Sequence, residues 1–350
     1  MDFLPNKNIK SIAIIGAGGI VEDAHLPAYQ KAGFDVAVIY DLNQEKAERL
    51  AEQFDISKAA QTLEEFHDIA NEKDCVFDLA VPANAISEVI SKLPDKSGVL
   101  IQKPLGENLI EAKQIIKLCE KKKLVAGVNF QLRCAPFIKE AHQMIDNGEI
   151  GELHDIDIKM TVYTPWHLWD FLFELPRVEI LYHSVHYIDL VRYFFGNPEK
   201  VYARTIKHPK MEDLASTKSN IYMDYGNFKR ATINTKHGHE FGPENQESYI
   251  KFEGTQGAIK IQVGVNLDYP KGREDQFEYN KLSDQKGWQR KEIDGSWFPD
   301  AFIGPMAGLM KKLEDPHYEY PNSISDAVET MKVVETAYLS SEKDGRTINE

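Results

Sequence analysis

The sequence has 350 residues, of which 42% are hydrophobic and 27% charged, a globular composition with enough apolar material for two domains. Its formal net charge of −14 argues against binding to nucleic acid or to an anionic membrane surface, because both would repel the chain. No apolar stretch reaches the roughly 18 residues of a membrane span. Three cysteines, an odd number without tight spacing, indicate a reducing compartment, for which the cytoplasm is the default.

Strand and helix signals alternate in the first part of the chain. The predicted strands are 11–15, 36–40, 76–81, 99–101 and 124–128, and the predicted helices are 25–32, 44–54, 86–93 and 109–122. The strands are short apolar runs without polar alternation, which is typical of strands covered on both faces. This order predicts an N-terminal Rossmann domain, a doubly wound α/β fold with a parallel sheet, over residues 1–128.

The pattern changes in the remainder of the chain. Helices are predicted at 137–147 and 180–195, and strands at 155–162, 201–206, 218–224, 230–235, 248–253 and 258–263. Successive strands separated by polar or glycine-bearing turns favour a large, mostly antiparallel sheet. We therefore predict an α+β domain for substrate binding and catalysis over residues 129–350. A last predicted helix, 323–341, is a candidate to pack back on the Rossmann domain.

A glycine motif opens the first predicted helix directly after the first predicted strand; it reads Gly16-Ala17-Gly18-Gly19-Ile20. The first glycine permits a tight turn, the second lets the backbone approach a pyrophosphate, and the helix N-terminus offers N–H groups to the anion. Val21 stands at the third glycine of the usual pattern, where we expect it to push helix and strand slightly apart.

Asp41 ends the second predicted strand, close to the position where dinucleotide-binding domains carry an acidic residue for the ribose hydroxyls. A carboxylate there repels a 2′-phosphate by about 4 kcal/mol at about 4 Å and an effective dielectric near 20. The sequence therefore predicts NAD as the cofactor, with NADP disfavoured.

Further motifs lie in the order that one known family shows. They are Ile101-Gln102-Lys103-Pro104-Leu105 after a predicted strand, His186-Tyr187-Ile188-Asp189 in the helix 180–195, His25-Leu26-Pro27 and Arg133-Cys134-Ala135-Pro136. Together with the glycine motif they resemble the Gfo/Idh/MocA oxidoreductases over essentially the whole chain. The resemblance implies an NAD-dependent dehydrogenase that acts on a CH–OH group of a sugar, sugar acid or polyol. It also implies a homo-oligomer, either a dimer or a tetramer.

The resemblance places Lys103 beside the nicotinamide. Gln102 stands where the family has glutamate, and Tyr182 stands where it has an aspartate four residues before the histidine. We expect Lys103 to hold the reacting oxygen and His186 to act as general acid/base, because an imidazole titrates near neutral pH. Tyr182 or His183 would orient His186 or relay its proton.

Other candidates surround this pair. Pro82, Asn84 and Gln102 follow predicted strands, at the edge of the sheet where ligands collect, and are expected to contact the cofactor. The substrate candidates are Gln131, Trp166, His167, Trp169 and Asp300. The aromatic residues among them fit a platform for sugar rings or, equally, a hydrophobic plug between domains.

Three alternatives stay open. Glu179, His183 and His186 have helical spacing that a metal ion could use, but no further metal signature lies near them, so no metal is predicted. The fold also suits an enzyme that recycles its NAD during elimination or glycoside cleavage. Finally, Gln102 and Tyr182 leave open a nucleotide or sugar sensor without catalysis.

Overall fold

The computed structural model of the protein describes residues 9–343. They form two compact units, one made of residues 9–136 and 295–329 and the other of 137–294 and 330–343. The expected domain boundary at 128 lies close to the first change of unit. Residues 295–329, however, group with the first unit, whereas the sequence assigned them to the second domain.

The first unit contains a parallel sheet of five strands in the order β2-β1-β3-β4-β5. Their bounds are β1 Ile12–Ile15, β2 Val36–Tyr40, β3 Val76–Leu79, β4 Gly98–Ile101 and β5 Val125–Val128. Every residue of β1, β3 and β4 is buried, which explains why their sequences are apolar without alternation. The chain leaves β1 toward one edge of the sheet and later returns to β3 on its other side. This is a switch point of the kind where ligands bind at the carboxyl ends of strands.

Helices connect these strands. They are α1 Leu26–Ala32, α2 Gln44–Gln53, α3 Leu63–Glu72, α4 Ile86–Lys92 and α5 Leu109–Lys122. Helix α3 is not among the predicted elements, although the Thr62 and Glu65 pattern of a capping box marks its start. Thr62 Oγ1 accepts a hydrogen bond from the Glu65 N–H, and the Glu65 carboxylate accepts one from the Gln61 N–H.

The second unit is built on an eight-stranded sheet in the order β13-β12-β11-β10-β6-β9-β8-β7. Its elements in chain order are α6 Pro136–Asp146, β6 Leu153–Thr161, α7 Val185–Phe195, β7 Lys200–Ile206, β8 Lys218–Asp224, β9 Arg230–Lys236, β10 Glu247–Gly254, β11 Gly257–Gln262, β12 Gln276–Lys281 and β13 Gln289–Lys291. All neighbouring strands are antiparallel except β6 and β9. The predicted mostly antiparallel sheet is confirmed, and β12 and β13 are additions to it.

Two further helices follow, α8 Ile303–Glu314 and α9 Ile324–Glu342. Helix α8 packs on β4 and β5 in the first unit. A Cβ added to Gly98 would lie 2.5 Å from Leu313 Cδ1, so this glycine lets the helix approach the sheet closely. Helix α8 is not among the predicted elements, because Gly304, Pro305 and Gly308 are poor helix formers. Among residues 9–343, no helix combines the length and the apolar character that crossing a membrane requires.

Candidate active site

The glycine loop after β1 has a geometry that only glycine adopts at its first position. Gly16 has a φ of 112°, and an added Cβ would lie 2.3 Å from the carbonyl oxygen of Ala80. The Gly16 N–H donates to the Tyr40 carbonyl at 2.8 Å, which ties the loop to the end of β2. The carbonyl of Gly18 then accepts the Val21 N–H at 2.9 Å and begins the helical turn.

The outer side of this loop is open. A Cβ built on Gly18 meets nothing within 4 Å, and one on Gly19 would meet only Asp23 Oδ2 at 3.7 Å. Ile20 instead packs partly against the core. The loop can therefore receive an anionic ligand from outside while its inner side is fixed by the sheet.

Val21, at the position of the third glycine, is fully buried in the core. The helix is a π-helix from Val21 to His25 and becomes regular only in α1. A π-helix is wider than an α-helix. The valine is thus accommodated where the helix departs from α geometry.

Asp41 is held beside the glycine loop. Its Oδ2 accepts the Ala17 N–H at 2.7 Å, and its Oδ1 accepts the Asn43 N–H at 2.7 Å. The carboxylate therefore has a fixed place at the carboxyl end of β2, next to the turn that follows β1. The neighbouring Leu42 is 94% exposed.

The ends of β3 and β4 bring further predicted residues to the same edge of the sheet. Pro82 and Asn84 are exposed in the turn between β3 and α4. Gln102 directly follows β4, and its N–H donates to the Leu79 carbonyl at 2.8 Å. Lys103 comes next, and desolvation by burial lowers the pKa of its ammonium group to about 8. An ammonium with a depressed pKa at a ligand-binding edge is a functional candidate.

A buried polar network lies behind Gln102. Asn129 Nδ2 donates to Gln102 Oε1 at 3.0 Å and also lies 3.2 Å from His25 Nε2. On its other side, His25 contacts Asp78, which accepts a hydrogen bond from Tyr29. Asp78 is not among the predicted site residues, although an acidic residue inside the apolar strand β3 is unusual.

Gln131 follows β5 and is only 1% exposed. Its Oε1 atom is buried and makes no hydrogen bond to any residue in the described range. A buried acceptor in this condition calls for a partner, which a ligand hydroxyl could supply. The position is compatible with the predicted substrate contact.

Asp300, by contrast, already has partners for both carboxylate oxygens. Oδ1 lies 2.5 Å from the Lys31 ammonium, and Oδ2 accepts the Ser296 N–H at 3.0 Å. This ion pair and turn give Asp300 contacts within the first unit, and its contact with a substrate stays a prediction. The ion pair could not be predicted from the sequence, because Lys31 lies on α1, far from Asp300 along the chain.

In the second unit, His186 lies in the first turn of α7 and is 7% exposed. A π-helix, Glu179–Ser184, precedes it and carries Tyr182 and His183. The Tyr182 ring is 5.8 Å from that of Phe171, and Tyr182 packs against an apolar cluster of the second unit. π-Helical turns are frequent at functional sites.

The predicted aromatic platform separates into different environments. Trp166 is 6% exposed and forms the apolar cluster with Leu172, Val178 and Leu214. Its ring is therefore covered by protein, which favours a core role over stacking on a sugar. His167 is exposed, and the Trp169 ring lies 5.9 Å from that of Tyr269.

A second polar cluster was not expected in its present form. Glu179 is fully buried, and its Oε1 lies 3.3 Å from His237 Nε2 and 3.9 Å from His183 Nδ1. Burial acts to raise the pKa of Glu179, but the hydrogen bond and charge of His237 and the charge of His183 outweigh it and lower the pKa to about 2. His237 follows β9, and no local sequence pattern pairs it with the helix 180–195.

Comparison with protein families gives matches in both parts of the chain. The model for the NAD-binding Rossmann fold of the Gfo/Idh/MocA oxidoreductase family matches residues 10–130. The model for the C-terminal alpha/beta domain of the same family matches residues 142–349. Together these matches span well over half of the sequence.

Individual proteins show more distant similarity. D-Apiose dehydrogenase from Rhizobium rhizogenes is 24% identical over 268 residues, which cover 73% of this chain and 74% of that protein. An NADP-dependent D-xylose 1-dehydrogenase from Haloarcula marismortui is 25% identical over 143 residues, 40% of each chain. The solved structure of an oxidoreductase from Agrobacterium radiobacter, in complex with NAD+, L-tartaric acid and magnesium, superposes with a TM-score of 0.77. It shares 20% sequence identity, and the match covers 95% of this chain and 96% of that chain.

Proposed function

This chain belongs to the Gfo/Idh/MocA family of oxidoreductases, and from this we propose that it transfers a hydride between NAD and a hydroxyl-bearing carbon of a sugar, sugar acid or polyol. The activities of two relatives, a D-apiose dehydrogenase and a D-xylose 1-dehydrogenase, support a carbohydrate substrate. The observation that carries the proposal is the fixed placement of the glycine loop and Asp41 at the switch point of the parallel sheet.

The residues at that edge fit a dinucleotide. The open side of Gly18 and Gly19 would accept the pyrophosphate, and Asp41 would accept hydrogen bonds from the ribose hydroxyls. Pro82, Asn84 and Gln102 would line the path toward the reacting end of the cofactor. When bound, the nicotinamide supplies the hydride acceptor or donor. The residues of the chain would hold the substrate, stabilise its reacting oxygen and move its proton.

The preference for NAD over NADP rests on charge around Asp41. A 2′-phosphate would have to sit near this carboxylate, and a nearby cation would be needed to offset the repulsion. The obvious cation, Arg49, already makes two hydrogen bonds of 2.6 Å to the carboxylate of Glu22. Leu42, the next residue along the chain, offers no charge.

For the chemistry, we assign Lys103 to the reacting oxygen. Its ammonium would donate a hydrogen bond to the substrate hydroxyl and stabilise the negative charge that develops as the hydride leaves. His186 would take the hydroxyl proton as general base and return it in the reverse direction. Tyr182 and His183 would orient the imidazole, and Gln131, His167 and Trp169 are our candidates for substrate contacts.

The experiment is a steady-state screen of the full-length protein with NAD+ over aldoses, uronates and inositols, with NADH formation as the readout. We expect at least one carbohydrate to reduce NAD+. Product formation without net NADH would instead indicate an enzyme that recycles its cofactor. Saturable NAD binding without turnover of any substrate would contradict the dehydrogenase and favour a sensor.

Two wider expectations accompany this proposal. We propose that the protein assembles as a dimer or tetramer, as the family resemblance implies, and light scattering on the purified protein would measure its mass. We also propose a cytoplasmic location, for which fractionation of the source cells is the test.

A further inference from the structure

A cluster of three possible ligands lies within the second unit, formed by Glu179, His183 and His237. One ligand atom from each residue can be chosen so that all three lie within 4.8 Å of one another. Glu179 Oε1 is 3.3 Å from His237 Nε2 and 3.9 Å from His183 Nδ1. Ligands around a tetrahedral zinc ion with bonds of about 2.0–2.1 Å lie roughly 3.4 Å apart. The cluster is therefore close to that spacing, and small side-chain movements would complete it.

The fold holds these side chains from separate elements. Glu179 and His183 lie one turn apart on the π-helix, and His237 follows β9, the parallel neighbour of β6. Thr164, just beyond β6, places its Oγ1 2.8 Å from His237 Nδ1. That contact occupies Nδ1 and leaves Nε2 facing Glu179. Outer partners commonly orient metal-binding histidines in this way.

The cluster is mostly buried, which distinguishes it from a chance grouping of residues on the surface. Glu179 and His237 are both 0% exposed, and the Trp166 ring packs 4.8 Å from the imidazole of His237. Glu179 Oε2 is buried and makes no hydrogen bond among the described residues. A buried carboxylate oxygen without a hydrogen bond is costly unless another group engages it. His183 is the member that solvent reaches, with a side chain that is 23% exposed.

We propose that Glu179, His183 and His237 bind one divalent transition-metal ion of the zinc type, with one coordination position left for water or for a hydroxyl oxygen of a small molecule. Two imidazoles and a carboxylate are a ligand set that such ions use when a position stays open. The helical spacing in the sequence offered His186 as the third ligand, whereas the fold supplies His237. Metal binding does not require the nucleotide, because none of the three ligands is assigned to it, although His183 is shared with the residues that would orient His186.

The test uses full-length protein treated with a chelator and then dialysed, without nucleotide or sugar. Zn²⁺ is titrated by calorimetry, and Co²⁺ by visible absorption and by quenching of tryptophan fluorescence, for which Trp166 is a nearby reporter. We expect one ion per chain. His183→Asn, at the most accessible ligand, should weaken binding by at least about 100-fold, since even outer partners contribute about 10–100-fold. Thr164→Val should weaken it by about 10–100-fold.

His317→Asn is the matched control, because His317 is exposed and lies in the other unit. The affinity of this variant for the metal ion should equal that of the unchanged protein. Failure of either ion to bind saturably to the unchanged, folded protein would overturn the proposal and leave a buried carboxylate–imidazole pair joined by a proton. Equal affinities of the His183→Asn and His317→Asn variants would overturn it as well. His183→Asn carries the test even if a change at the fully buried His237 prevents folding.

Discussion

Nδ1 of His25 lies 2.7 Å from Oδ2 of Asp78, and both side chains are completely buried in the first unit. The contact with Asn129 Nδ2 makes His25 Nε2 an acceptor, so the ring hydrogen is on Nδ1 and is donated to Asp78. The chain of contacts then continues through Asn129 to Gln102, the residue before Lys103. The side chain of Asp78 in β3 is thus connected, through His25 and Asn129, to the side chain of the residue that precedes the proposed catalytic lysine.

Asp78→Asn tests this network through stability. The bonds from His25 and Tyr29 both end on Asp78 Oδ2, where the carbonyl oxygen of asparagine can still accept them. Its NH2 group would then occupy the buried Oδ1 position, which has no hydrogen-bond partner among the described residues. We expect the free energy of unfolding to fall by about 3 kcal/mol, because a buried donor is left unsatisfied and both bonds lose the help of the charge. Tyr29→Phe removes one hydrogen bond to Asp78 and should cost about 1.5–3 kcal/mol. Urea unfolding of both single variants and the double variant measures the coupling. Additive losses would show that the two groups do not act as a unit.

Gln102→Glu tests the electrostatic setting of Lys103. Burial lowers the pKa of Lys103 to about 8, so an ammonium that must stay charged loses its proton as pH rises through this value. The limb of kcat/KM that falls with rising pH should therefore lie near this value. A carboxylate next to it favours the charged form and raises the pKa, which moves this limb to higher pH. Gln102→Ala, which adds no charge, is the control, and an equal movement in both variants would contradict the explanation.

Lys103→Met tests the proposed catalytic role directly. Loss of a charge that stabilises the developing alkoxide should lower kcat at least about 100-fold, while the Kd for NADH, measured by fluorescence, changes little. Lys113→Met, at an exposed position of α5, is the matched control. A variant that keeps its full kcat would remove Lys103 from the mechanism.

Asp41→Ser combined with Leu42→Arg tests the choice of cofactor. The change removes the repulsion of a 2′-phosphate and adds a cation, so the ratio of kcat/KM for NAD to that for NADP should fall by at least about 100-fold. Leu42→Ala alone should leave the ratio nearly unchanged. An unaltered ratio in the double variant would mean that Asp41 does not meet the ribose.

Gly16→Ala and Gly18→Ala separate structure from binding within the same loop. A Cβ on Gly16 would collide with the Ala80 carbonyl, and its φ of 112° is unfavourable for alanine, so we expect stability to fall by at least about 2 kcal/mol. A Cβ on Gly18 meets nothing, so stability should hold while the affinity for NAD drops. Similar stability losses in the two variants would contradict this division of roles.

The sequence is sufficient to predict those helices and strands whose signals are local. The bounds of β2 and α5 coincide with the predicted ones, because each has a clear apolar pattern and is flanked by polar residues. Helix α8 was not recognisable, since its glycines and proline are tolerated only through packing against the sheet. The residues after β1, β2 and β4 could be assigned to one edge because parallel strands end together.

What could not be predicted depends on contacts between distant segments. His237 meets Glu179 and His183 only because β9 lies beside β6, and no local pattern encodes that pairing. The partner of Asp300 was likewise hidden on another helix. Trp166 belongs to an aromatic run that suits a sugar platform, and no local pattern shows that its side chain is buried.

Helix α8 has a consequence for biosynthesis. It covers strands β4 and β5, yet it is encoded near the end of the chain. A ribosome that has just released β5 has therefore produced strands β4 and β5 without their cover, and they stay bare on that side while residues 137–294 of the second unit are being translated. We expect the nascent first unit to remain a client of chaperones during this interval, and a gene fragment that stops after β5 to yield aggregated rather than folded protein.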